Sequence, residues 1–399
     1  MFDAIKQAAA RDLPRCRDFL KDLIATKSLS GEEAAVVARI RQEMEAVGFD
    51  EVMVDGFGNI LGRVGSGPRV IAMDAHIDTV DAGDLSLWGD RDPWEPVEKD
   101  GILYGRGASD QKGGMAAMVY AGKLLKELDL TGGCSVWMVG SVQEEDCDGL
   151  SWQYILREKV IAPEVVVITE PTNLNLYRGH RGRMELEVET KGLSCHGSAP
   201  ERGVNAVYKM APIIAGVEKM GASFAEDPFL GQGTVTISHI RSTSPSLCAV
   251  ADSCTIHLDR RVTFGETEES SVEELRGLTG VRAAGAEIRV LEYDTPTHTG
   301  LVYPTRKFYP AWVTPEDHPS IRAGVAVYEG IFGETPAVGR WVFSTNGVAT
   351  AGMFDVPTLG FGPANEQYAH SPQDQIPVSH LESAVAFYTA FPSVYVKGA

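Results

Sequence analysis

No stretch of about 18 consecutive apolar residues occurs in the chain, which predicts no membrane-spanning helix. The opening residues, MFDAIKQAAARDLPRCRDFL, carry acids and lack an apolar h-region. They do not read as a secretory signal, and the cytoplasm is the default location. Positive charge is scarce: 36 Lys and Arg stand against 55 Asp and Glu, a formal net charge of −19. A phosphate-binding surface needs clustered Lys and Arg, so no nucleic-acid partner is expected. The excess of acid serves solubility. The six cysteines (Cys16, Cys134, Cys147, Cys195, Cys248, Cys254) form no CxxC pair and read as reduced thiols. Cys195 adjoins His196, but neighbouring side chains rarely face each other, so no Cys–His nucleophile is read there. Internal repeats and low-complexity tails are also missing.

What is present suits a soluble globular protein, with 44% apolar and 23% charged residues. A chain of 399 residues predicts about two domains. Residues 11–48 read as two helices, the second closing on Gly48. EVMVD, NILGRVG, RVIAMDAHID, CSVWMVGSV and VVVITEP read as strands, and GGMAAMVYAGKLLKEL and SWQYILREKV as helices between them. This alternation predicts an α/β fold with a mixed, partly parallel sheet. From residue 182 the texture changes to alternating strands (RMELEVETKG, TVTISHIRS, SCTIHLDRRVTF, AEIRVLEY) with two interleaved helices. This predicts an inserted α+β domain over 182–312, splitting a first domain of 1–181 and 313–399. The long 294–312 connection either shapes a pocket or runs over the surface.

Folding alone does not favour VGSVQEEDCDG, where Glu144, Glu145, Asp146 and Asp148 crowd together after an apolar strand. Adjacent carboxylates repel and are costly to desolvate unless something positive sits among them. Four other pieces carry metal-ligating residue types at strand ends or in loops: MDAHIDTVDAG, GRGASDQKGG, VITEPTN and NEQYAHSPQD. Open α/β sheets bind ligands at the carboxyl ends of their strands, so the pieces are expected to form one site. His76, Asp110, Glu145, Glu170 and His370 supply the ligand count of a pair of divalent metals, whose charge would stabilise the clustered acids.

The set H-x-D-T-V, G-x-x-D-x-K-G-G, Q-E-E, E-P-T and A-H resembles the co-catalytic zinc family of acetylornithine deacetylase, succinyl-diaminopimelate desuccinylase, aminoacylase and carboxypeptidase G. The likeness spans essentially the whole chain. RGHRG and STNGVATAG are most similar to the hydrolases linked to selenium metabolism. The resemblance implies a zinc-peptidase-like catalytic domain with an inserted lid and dimerisation domain, two Zn²⁺ per subunit with cobalt or manganese as substitutes, and a homodimer. It implies that His76 and Glu170 hold one ion, Glu145 and His370 the other, and that Asp110 bridges them. Asp78 would support His76 as a carboxylate behind the ligand. Glu144 would be the general base acting on a water between the metals. His196 would reach the partner subunit's site to help hold the oxyanion, and Arg261, in DRR, would bind a substrate carboxylate. Arg181 and Asn346 are further substrate-binding candidates. The substrate class implied is a small N-acyl amino acid or similar amide, with a dipeptidase or carboxypeptidase as the alternative. Glu170 favours the deacylase and carboxypeptidase side, since aminopeptidases of the clan usually have Asp there and carbamoyl-cleaving relatives His. A non-catalytic scaffold would have lost Glu144 or a ligand, and neither is lost. Cys248 and Ala251 stand where relatives often carry Asn and Pro. His180-Arg181-Gly182 replaces the two arginines before glycine of desuccinylases.

Overall fold

The computed structural model describes residues 1–398. A nine-stranded mixed sheet forms its centre. Its order is Glu51–Val54, Ile60–Val64, Cys134–Ser141, Arg69–His76, Val165–Ile168, Thr358–Gly360, Leu176–His180 and Trp312–Val313, with Val338–Trp341 also on Leu176–His180. The strands Cys134–Ser141, Arg69–His76, Val165–Ile168 and Thr358–Gly360 run parallel. They are buried along nearly their whole length, as parallel strands covered on both faces must be. Helices Phe2–Ala25, Gly113–Glu127, Pro319–Phe332 and Val378–Gly398 pack together over one face around Phe19, Leu20, Met115, Phe361 and Phe387. Trp152, Trp312 and Trp341 fill the other face. Lys112 is buried and donates from Nζ to the carbonyls of Leu23 and Thr26, both at 2.8 Å, closing the end of the first helix.

The second sheet runs Thr234–Thr243, Ser253–Val262, Gly182–Lys191, Glu287–Val290, with Phe308–Tyr309 also on Gly182–Lys191. Met184, Leu186, Val188, Cys254, Ile256 and Leu258 point inward at every second position and form a separate core with helix Ala206–Met220. The chain enters this sheet through residues 180–182 and leaves it through 309–312. The two crossings are paired: Trp312 lies opposite His180, and Tyr309 opposite Arg183.

The 294–312 segment runs along the surface but is anchored to the first sheet's unit. Tyr303 packs its ring against Phe57 and Tyr154 at centroid distances of 6.2 and 5.4 Å. His298 Nε2 lies 3.1 Å from the Gly58 carbonyl, and the Pro296 carbonyl accepts from Gln143 Nε2 at 3.0 Å. Its apolar residues thus bury against the first sheet's core, and its carbonyl braces the residue preceding Glu144.

His180 sits buried at the crossing. Its Nε2 accepts from Trp312 Nε1 at 2.8 Å and from the Thr345 amide at 3.0 Å, while Nδ1 lies 2.8 Å from the Arg181 carbonyl. Two donors on Nε2 require a neutral ring, and burial pushes the pKa down to about 4. The unfolded chain therefore takes a proton near pH 6.5 while the native ring refuses it until about pH 4. Stability should fall as pH drops through that window, by up to about 3 kcal/mol. His180→Asn should flatten this part of the slope, as measured by urea denaturation at a series of pH values.

Candidate metal centre

Three neighbouring parallel strands end at one edge and deliver the site. Arg69–His76 ends on His76, Val165–Ile168 runs into Glu170, and Cys134–Ser141 runs into the acidic turn. Gly362 lets the next strand's exit lie against that edge, since a Cβ there would strike the carbonyl oxygens of Thr169 and Glu170.

In an extended strand Glu144 and Glu145 would point to opposite faces. The chain instead turns after Val142, with Gln143 in the left-handed region at φ 56°. Three successive amides of this turn are held by carboxylates. Gln143 N donates to Glu33 Oε1 at 3.0 Å, Glu144 N to Asp78 Oδ1 at 3.2 Å, and Glu145 N to Asp78 Oδ2 at 3.1 Å. Asp78 also accepts from Ser30 Oγ at 2.6 Å. The Asp78 carboxylate thus chiefly organises the glutamate turn. Its hydrogen bond to His76 comes through the main-chain carbonyl, 3.0 Å from Nδ1, while Oδ1 is 3.5 Å away. Glu33 was not legible as a site residue. It is fully buried, and burial together with Asp78 pushes its pKa up to about 8.

Asp110 arrives on a different scaffold, the loop Gly105–Ser109, which wraps around buried Asp374. The Asp374 carboxylate accepts from Gly107 N at 2.7 Å, Ser109 N at 2.8 Å, Ser109 Oγ at 2.7 Å and Arg106 Nη1 at 3.2 Å. Four residues upstream, His370 holds a left-handed backbone at φ 56° and points back to the same place. One carboxylate therefore ties together the segments that carry Asp110 and His370.

The candidate ligands converge in two groups, His76–Asp110–Glu170 and Asp110–Glu145–His370, and within each the ligand atoms lie inside 4.8 Å of one another. His76 Nε2 is 2.9 Å from Asp110 Oδ1 and 3.5 Å from Glu170 Oε1. His370 Nε2 is 2.8 Å from Glu145 Oε2 and 3.3 Å from Asp110 Oδ2. Asp110 belongs to both groups, one oxygen facing each histidine.

The donor chemistry fits cations. The carbonyl of Asp78 requires a proton on His76 Nδ1, which leaves Nε2 as the atom turned towards carboxylate oxygens. Contact between two lone pairs is unfavourable unless a proton or a metal cation lies between them, and the same carboxylates raise the pKa of both imidazoles, that of His370 to about 10. Glu144 Oε1 and Glu170 Oε2 are buried without a hydrogen-bond partner. Burial drives both carboxyls well above the usual carboxylate range, with neighbouring acids adding to the effect.

A cavity of about 240 Å³ opens over these ligands, walled on another side by Asp148, Arg183, Arg261 and Phe343. Arg261 lines the same cavity, with Nε and Nη2 donating to Asp259 at 2.8 and 3.0 Å. Arg181 is not on the cavity wall; it donates to the Gln232 carbonyl at 2.8 Å. Asn346 lies beneath the site, its Nδ2 donating to Asp74 Oδ2 and Ser141 Oγ at 2.8 and 2.9 Å and its Oδ1 accepting from Gly149 N at 2.9 Å. Those contacts occupy the amide, so the side chain ties the strand ends together and offers nothing to a substrate. His196 is exposed and off the cavity wall, in a loop bridged to Ala249. The Cys248–Ala251 stretch therefore runs beside it. Ser198 N donates to His196 Nδ1 at 3.1 Å, which places the neutral ring's proton on Nε2 and makes that atom a donor.

Residues 72–393 match the family described as Peptidase family M20/M25/M40. The chain is 52% identical over 374 residues to the uncharacterized protein YgeY of Escherichia coli (strain K12), covering 94% of this chain and 93% of that protein. It is 28% identical to the LysW-lysine hydrolase of Deinococcus radiodurans, covering 97% and 99%. The crystal structure of aminopeptidase PepT from Bacillus cereus superposes with a TM-score of 0.73 at 21% identity, over 96% of this chain and 98% of that one.

Because Asp78 and Asp374 act by holding backbone, their loss should loosen ligands that remain chemically intact. Asp78→Ala and Asp374→Ala should each weaken zinc binding roughly 10- to 100-fold, measured by competition with a chromogenic chelator. Unchanged affinity in both variants would show that the turn and loop hold their shape without them.

Proposed function

The chain belongs to peptidase family M20/M25/M40 and is a metal-dependent hydrolase of amide or peptide bonds; within that class we propose that it releases an acyl group from a small N-acyl amino acid or a similar amino-acid-derived amide. The observation that carries this reading is Glu144: a buried carboxylate with an unpartnered oxygen, on the wall of an amino-acid-sized cavity, beside two converging ligand groups. In this proposal His76 and Glu170 hold one zinc ion, Glu145 and His370 the other, and Asp110 both. The metal pair, when bound, supplies Lewis acidity and lowers the pKa of a water. Glu144 takes the proton from the attacking water and returns it to the leaving nitrogen. Arg261 receives the substrate carboxylate. A dipeptidase would use the same residues and differ only in what occupies the acyl side.

Two separate cores support a division into a catalytic unit and a lid, although Tyr293, Leu301, Tyr303 and Tyr309 pack with the catalytic core, so most of the stretch 291–312 belongs to the catalytic unit by packing. A cytoplasmic homodimer completes the proposal. Strand Thr234–Thr243 is a sheet edge with an unpaired side, available to a second copy across a two-fold axis. The Nε2 donor of His196 would then act on the partner's substrate oxyanion.

Glu144→Gln keeps shape while removing the base. It should retain both metals by elemental analysis and lose at least about 100-fold in turnover on a panel of N-acyl amino acids and dipeptides. Activity within tenfold of wild type sinks the assignment, and loss of one metal exchanges the roles of Glu144 and Glu145. Mixing inactive Glu144→Gln with inactive His196→Ala should restore activity well above either parent, because one site of each heterodimer has both wild-type groups. A mixture shown to exchange subunits yet staying inactive rules out action across the interface.

A further inference from the structure

Strand pairing sets Arg183 directly opposite Arg261 on antiparallel neighbours. Like charges at opposed positions are disfavoured in a sheet, so the arrangement asks for a reason. Both guanidinium groups line the cavity whose other wall holds the candidate ligands. Arg261 has two of its nitrogens occupied by Asp259. Arg183 is different. Its guanidinium lies 5.1 Å from the Tyr309 ring centroid, with Asp148 Oδ2 3.5 Å from Nε and Glu185 Oε1 3.2 Å from Nη2. Neither carboxylate meets it in hydrogen-bond geometry, and its buried Nε has no partner. The side chain is only 17% exposed. Offsetting the charge of Asp148 and Glu185 accounts for a cation here. It does not account for donors left free on an immobilised fork, which buried polar groups rarely tolerate.

We propose that Arg183 is a specificity-determining residue whose guanidinium donates to an acceptor oxygen in a second polar group of the substrate, while Arg261 takes the first carboxylate. The substrate is then an amino-acid derivative with an oxygen-bearing side chain, a carboxylate or a carboxamide, and not a hydrocarbon one. The inference rests on the amidohydrolase reading for the word substrate, but its recognition element is testable by binding alone. A cavity of about 240 Å³ has the size for such a molecule.

The probes are free L-glutamate, L-glutamine and L-norleucine, and the N-acetyl derivative of each, on the zinc-loaded full chain. Titration calorimetry of the free amino acids should show glutamate or glutamine bound at least about 10-fold more tightly than norleucine, the effect of a hydrogen bond to a charged group. The order of glutamate and glutamine identifies the carboxylate or the carboxamide as the group read. Arg183→Lys keeps the charge and loses the fork; it should erase most of that preference and leave norleucine binding within about threefold. Norleucine bound as well as the other two by wild type, or an equal loss for all three in Arg183→Lys, overturns the inference. Hydrolysis of the N-acetyl panel is scored separately. Selective binding without hydrolysis overturns the hydrolytic reading and leaves Arg183 in its role. Hydrolysis without selectivity does the reverse, and neither binding nor hydrolysis removes both.

Discussion

Mutual repulsion among buried carboxylates is the constraint around which the rest of this molecule is arranged. Asp110, Glu144, Glu145 and Glu170 share one small volume, and Asp78, Glu33 and Asp148 stand directly behind or beside them. An apolar sheet does not gather such groups unless charge of the other sign joins them. Two histidines lie among them, and a pair of divalent cations held by the two candidate groups would add four positive charges. The acids behind the ligands meet the same constraint differently. Asp78, Glu33 and Asp374 each accept from main-chain amides, so that each buried carboxyl group also fixes a piece of backbone. Burial of charge and precision of the site are therefore one design: a carboxylate that loses its amides is unstable, and a turn that loses its carboxylate is loose.

Much of this was legible in the sequence. The alternation of apolar strands with helices gave the α/β centre, and the shift to period-two patterning after residue 182 marked the second sheet. The five candidate ligand types were visible because each sits at a strand end or in a connecting loop, His370 in a loop without glycine. The supports were not visible, because they depend on contacts between distant residues. Glu33 meets Gln143 across 110 positions and Asp374 meets Ser109 across 265. Composition at either end says nothing about the partner. The left-handed backbones at Gln143 and His370 were equally hidden, since neither residue type announces that conformation. The three hydrogen bonds of Asn346 to Asp74, Ser141 and Gly149 were hidden for the same reason, since all three partners are distant in sequence. Arg183 was passed over because its importance comes from strand register, which places it opposite Arg261.

The paired crossing at residues 180–182 and 309–312 fixes one end of the second sheet. Arg183 is one residue beyond Gly182, and Arg261 is locked to it by register. At roughly 3.3 Å of rise per strand residue, Lys191 lies about 30 Å from that crossing, and the loop carrying His196 lies at this far end. The arginine pair therefore sits where strand pairing ties the second sheet to the first, and His196 sits at the end which that pairing does not reach.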